Sequence, residues 1–166
     1  MGQFSAKAIA NAFYDLAKAE GQFICPMKMQ KLVYIAHGWS LGLLDKPLIQ
    51  EQVQAWKYGP VINELYHEFK IYGSGNITRK ATSYMVDPNN FEVVESTPEV
   101  NDSQTQQLLK IVWDTYKKFS GGQLSNMTHE SGTPWDKTFN GMRSVVVDNQ
   151  TIQQHYKDLI QKRAQA

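Results

Sequence analysis

The stretch Pro26-Met27-Lys28-Met29-Gln30-Lys31-Leu32-Val33-Tyr34-Ile35-Ala36-His37-Gly38-Trp39-Ser40-Leu41-Gly42-Leu43 decides the fold. A proline suited to a first helical turn, followed by Met29, Leu32, Val33, Ala36, Leu41 and Leu43, predicts a helix. Gly38 and Gly42 weaken its later half, because glycine in a helix interior costs about 1 kcal/mol relative to alanine. The same small residues let another backbone approach closely.

Upstream, Ala6, Ile9, Ala10, Phe13, Leu16 and Ala17 recur at three- and four-residue steps. That stripe predicts an amphipathic helix from Ser5 to Glu20, with Ser5 as its N-cap and Gly21 as its stop. Downstream, Lys46-Pro47-Leu48-Ile49 breaks the long helix, and Gln52-Val53-Gln54-Ala55-Trp56 alternates polar and apolar like a short strand. Tyr58-Gly59-Pro60 reads as a turn. Val61, Ile62, Leu65, Tyr66, Phe69 and Ile71 then predict a third helix, closed by Tyr72-Gly73-Ser74-Gly75.

Residues 76–100 carry Thr, Val, Phe and Tyr around Asp87-Pro88-Asn89-Asn90, which predicts two extended arms about a turn, as a hairpin or a flap. Asn101 or Asp102 caps a fourth helix carrying Leu108, Leu109, Val112, Trp113, Tyr116 and Phe119, ended by Gly121-Gly122. A short helix over Gln123 to Thr128, a further turn over Trp135 to Phe139 and a last helix over Thr151 to Arg163 complete the chain. The expected architecture is mainly α with a minor β element (α+β): a compact helical single domain over residues 1–166, with its core in about 5–160 and a short strand or hairpin insertion.

Composition agrees with one domain. The chain has 166 residues, 42% of them hydrophobic, enough for one sizeable core. Its 17 Lys and Arg against 16 Asp and Glu lack the basic excess that draws a protein onto nucleic acid, so no nucleic-acid partner is expected. Met1-Gly2-Gln3-Phe4-Ser5 has no basic segment leading into an apolar one, and no later run approaches the roughly 20 apolar residues that cross a bilayer. A cytoplasmic protein without a membrane partner is expected. The lone Cys25 excludes an internal disulfide framework and reads as a buried, inert thiol.

No catalytic constellation assembles from the sequence. His37, His67, His129 and His155 include no pair at the i, i+4 spacing that places two ligands on one helix face. His67-Glu68 opens like the zinc-protease helix motif, but Ile71 stands where the second histidine belongs. Gly73-Ser74-Gly75-Asn76 lacks the spacing of a dinucleotide loop, and Glu64 with Glu68 reads as a solvated helix face. An enzyme using His37, His67 or His129 is the least favoured class; no cofactor, metal or catalytic residue is expected. Met27 and Met29 with Tyr34, Trp39, Trp56, Tyr58 and Trp113 fit either a helical core or an adaptable interaction surface.

Four blocks, taken together, carry a resemblance: Lys28 to Trp39; Ala55-Trp56-Lys57-Tyr58-Gly59-Pro60-Val61-Ile62; Leu65-Tyr66-His67-Glu68-Phe69; and Leu124-Ser125-Asn126-Met127-Thr128-His129 followed by Pro134-Trp135. Their order and spacing resemble the Panacea domain of SocA-like antitoxins, over roughly residues 5–160. The resemblance implies a helical domain that neutralises a cognate toxin protein by direct binding, or an adaptor that delivers its toxin to a ClpXP-type protease. It implies no catalytic residue and no cofactor. Kinship with GepA-type phage-associated proteins implies the alternative of a phage or mobile-element accessory protein that modulates a host protein.

The candidate partner-binding residues are Trp56, Lys57, Tyr58, Pro60, Tyr66, His67, Thr128, His129 and Trp135. A rigid turn through Trp56-Lys57-Tyr58-Gly59-Pro60 would lock two aromatics and a cation beside the third helix. Thr128-His129 with Pro134-Trp135 would form a second polar-aromatic cluster. If both clusters line one groove they receive a peptide or loop of the partner; if they pack inward they are a requirement of the fold.

Overall fold

The computed structural model describes residues 2–142 and 145–165. In chain order it contains α1 (Ala6–Ala19), α2 (Pro26–Leu44), β1 (Val53–Trp56), β2 (Gly59–Val61), α3 (Asn63–Phe69), β3 (Ser83–Val86), β4 (Val93–Ser96), α4 (Ser103–Tyr116), α5 (Gly121–Thr128), α6 (Pro134–Thr138), β5 (Val146–Val147) and α7 (Asn149–Gln165). The class is α-dominant α+β, with β1 central in a small antiparallel sheet of order β2-β1-β5 and a separate β3-β4 hairpin.

Every residue of α2 from Lys28 to Leu41 is buried. A helix buried all round belongs at the centre of a fold, and α1, α3, α4, α5, α7 and β2 pack about it. Gly38 and Gly42 do not shorten α2. They are the seat of α7, because a Cβ on Gly38 would fall 2.0 Å from the Tyr156 ring and one on Gly42 2.8 Å from Tyr156 Cβ. The Tyr156 ring fills that seat edge-on to Trp39 at 4.9 Å and to Tyr34 at 6.5 Å.

Caps follow the sequence reading at α1 and α4. Ser5 Oγ accepts from the Ala8 N–H, and Asp102 accepts from Thr105 N–H at 2.9 Å. Cys25 caps α2 without a side-chain bond and is half-buried rather than enclosed. The third helix begins at Asn63, not Val61. The reason is Gln30 on α2, whose amide donates to Ile62 C=O and accepts from Ile62 N–H, both at 2.9 Å, holding that residue extended. Gly121-Gly122 starts α5 instead of stopping α4. Ser120 and Gln123 form a capping box, and Gly121 lets the helix start close to α2, where a Cβ would meet Lys28 N at 3.0 Å.

Residues 76–100 hold a hairpin whose base is clamped by buried Asn11: its amide donates to Ala81 C=O and Pro98 C=O and accepts from Ala81 N–H. The hairpin itself stands in solvent, with Tyr84, Met85, Val86, Phe91, Val93 and Val94 exposed. The third sheet strand, β5, pairs with β1 and had no counterpart in the sequence reading. No helix among the described residues is long and apolar enough to cross a membrane.

Candidate functional site

The turn between β1 and β2 is built by three helices. Lys31 Nζ on α2 donates to Pro60 C=O at 2.8 Å, Ser125 Oγ on α5 donates to Tyr58 C=O at 2.7 Å, and Trp135 Nε1 on α6 donates to Trp56 C=O. Alternate carbonyls of one short segment are thus each captured by a side chain from a different element. Gly59, at φ +114, supplies a conformation that side chains rarely adopt, and its missing Cβ leaves room for Lys31 Nζ, 2.9 Å from where that atom would lie.

The clamp holds the side chains of the turn over a cavity of about 830 Å³ between the start of α2, α3 and the segment around Phe139. Of the sequence candidates, Trp56, Lys57, Tyr58 and Tyr66 line it. Tyr58 is 60% exposed and Tyr66 38%, while Trp56 packs edge-on against Tyr66 at 4.9 Å. The Lys57 ammonium lies 5.3 Å from the Tyr58 ring centre.

The remaining candidates do not line the cavity. Trp135 supports it from behind, bonded to the turn and stacked at 4.7 Å on Phe139, which does line it. Pro60 is buried, with its carbonyl on Lys31. Thr128 is buried and spends its hydroxyl on Leu124 and Ser125 C=O. His129 packs on Trp135 at 5.2 Å, and His67 flanks Tyr66 and meets Lys70 Nζ at 3.3 Å. The second cluster is therefore a buttress behind the first, not an opposite wall.

Sequence reasoning missed Lys31 as a site residue. Its signal was a lysine on an apolar helix face, with Met27 four residues before and Ile35 four after. Burial leaves 1% of Lys31 exposed and lowers its pKa from 10.5 to about 7, with no charged neighbour contributing. Among the described residues, every charged one lining the cavity is a lysine: Lys31, Lys57 and Lys70.

His37 is buried and accepts at Nδ1 from Leu48 N–H at 3.1 Å, so its proton is on Nε2, which donates to Asn149 Oδ1 at 2.9 Å. Glu68 ties α3 to Lys7 at 3.2 Å and to Thr82 N–H. Among the described residues no group of three or more His, Cys, Asp or Glu is arranged to hold a metal ion.

The sequence model of the family described as "Antitoxin SocA-like, Panacea domain" matches residues 29–136, more than half of the chain. The chain belongs to the SocA-like Panacea family. A curated relative, Antitoxin SocA of Caulobacter vibrioides (strain NA1000 / CB15N), is 33% identical over 136 residues, covering 82% of this chain and 71% of that protein. No solved structure matches the chain. The matched Panacea segment contains all three side chains of the carbonyl clamp, Lys31, Ser125 and Trp135, together with the turn they hold.

Proposed function

We propose that this protein is a single-domain cytoplasmic antitoxin that neutralises a cognate toxin protein by direct binding, and that a segment of the toxin docks in the groove under the β1–β2 turn. The observation that carries the reading is the cavity itself: about 830 Å³, mostly apolar and rimmed by Tyr66 on α3 and by Trp56 and Tyr58 on a turn clamped from three sides. Rigid aromatics bury large area with few rotors to freeze, which is why they dominate interface energetics. Membership of an antitoxin family and likeness to a protein named as an antitoxin support the same reading.

The test is co-expression with each immediate genomic neighbour, scoring growth and co-purification, for wild type and for Trp56→Ala combined with Tyr66→Ala. Growth rescue with a stable complex is expected, and the double variant should lose both while keeping its thermal midpoint within a few degrees; loss of two central anchors costs on the order of 2 kcal/mol or more. Rescue accompanied by disappearance of the neighbour would mark an adaptor for a ClpXP-type protease. Unimpaired neutralisation by the double variant would remove the groove from the reading. Absence of any toxic or binding neighbour would overturn the antitoxin and favour a modulator of a host protein.

A further inference from the structure

We propose that Lys31 is the anion-recognising residue of this groove, pairing with the side-chain carboxylate of an Asp or Glu that the partner segment presents beside its apolar anchor. The inference rests on the docking reading above and names the chemistry of the segment that docks.

Lys31 borders the cavity with its ammonium held by one hydrogen bond, to Pro60 C=O. An ammonium carries three donors, so two N–H groups have no acceptor among the described residues. The neighbouring hydroxyl of Thr128 donates to carbonyls of its own helix, and no hydrogen bond joins it to Lys31 among the described residues. A buried charge without a counter-charge is costly, and a carboxylate brought alongside removes that cost.

Charge complementarity points the same way. Among the described residues the cavity wall holds Lys31, Lys57 and Lys70 and no carboxylate. Carboxylates on the surrounding elements are placed elsewhere: Glu68 on Lys7, Glu64 in a separate polar cleft with Gln54, and Asp136 on the Gly132 N–H. Other titratable side chains on those elements are Lys28 on the same helix as Lys31, Lys57 and Tyr58 in the turn, Tyr66 and His67 on α3, Lys70 after it, and His129 after α5. The ligand must therefore bring the negative charge.

A side-chain carboxylate suits the depth better than a chain terminus. The wall is mainly apolar, and Gln30, its one amide among the described residues, is consumed by Ile62. A descending main chain would leave its own N–H groups without acceptors, whereas a Glu or Asp stem carries none. The lowered pKa of Lys31, about 7 in the free protein, adds a signature. A bound carboxylate restores the ammonium, so binding takes up a proton, and affinity falls as pH rises above about 7, by up to about tenfold per pH unit.

The experiment selects groove-binding peptides from a random display library on the full chain, then measures each selected peptide and its Glu→Gln or Asp→Asn form against wild type, Lys31→Met and Trp56→Ala. Expected peptides pair an aromatic or large aliphatic residue with an acid. The amide form should bind wild type about tenfold or more weaker, lose little further on Lys31→Met, and lack the affinity decline between about pH 7 and about pH 9. Should Lys31→Met fail to fold, the amide peptide and the pH profile on wild type decide. Peptides that need Trp56 but bind equally with or without the acid would make Lys31 a clamp for Pro60 alone and end this inference while the groove survives. Peptides indifferent to Trp56→Ala, or none selected, would sink the docking reading and this inference with it.

Discussion

Tyr34 and His37 lie one turn apart on α2 and meet burial in opposite ways. The Tyr34 hydroxyl is enclosed with no hydrogen-bond partner among the described residues, and burial pushes its ionisation well upward. Removing an unsatisfied buried hydroxyl while keeping the ring relieves a desolvation cost, so Tyr34→Phe should stabilise the fold by about 1 kcal/mol, a rise of a few degrees in thermal midpoint. A lower midpoint would show that the hydroxyl is satisfied in solution. His37 has both ring nitrogens engaged as the neutral tautomer, and burial, the dominant influence, lowers its pKa below 6.5. A depressed histidine favours folding fully above its unfolded value; that contribution is lost as pH falls through the folded value. Urea midpoints should therefore drop between about pH 7 and about pH 5, above the carboxylate range. Because His155 is also depressed and Lys31 titrates near 7 in the folded chain, the His37 share is read in His155→Gln combined with Lys31→Met; a flat profile in that variant would refute it.

Glycine shows how an element's environment sets the sign of one substitution. Alanine is the better helix former by about 1 kcal/mol, yet at Gly38 its Cβ would sit 2.0 Å from a Tyr156 ring already wedged against Trp39 and Tyr34. Gly38→Ala should destabilise by about 1–3 kcal/mol as α7 is forced off α2. Gly122, in the first turn of α5, has only Ser120 Oγ within reach, at 3.9 Å. Gly122→Ala should leave the thermal midpoint unchanged or raised, and equal effects at the two sites would refute the packing account. The sequence already hinted at a close approach at Gly38 and Gly42 but read Gly121-Gly122 as a helix stop. The competing signal, Ser120 three residues before Gln123, was present and marks a helix start.

At the scale of the whole molecule, the family-matched segment 29–136 omits α1, β5 and α7, although α1 and α7 both pack on α2. Ile9, Phe13, Ile152 and Tyr156 are core residues contributed by those flanks. A chain trimmed to residues 29–136 should lack a cooperative thermal transition; a sharp transition in the trimmed chain would show that the segment folds without its flanks. The helices of the chain were legible from apolar spacing, capping side chains and glycine or proline punctuation, because those effects act within a turn or two of backbone. The start of α3, the pairing of β5 and the groove were not. Trp56, Lys57, Tyr58 and Tyr66 could be singled out as a cluster, but whether each faced a cavity or the core depended on Lys31, Ser125 and Trp135, which reach the turn from 29, 67 and 79 residues away in the chain. Sequence alone determined which segments are helical and which residues are large, aromatic or charged. Only the tertiary structure decided that a lysine is buried without a counter-charge, because burial and hydrogen-bond partnership are properties of what distant segments bring alongside.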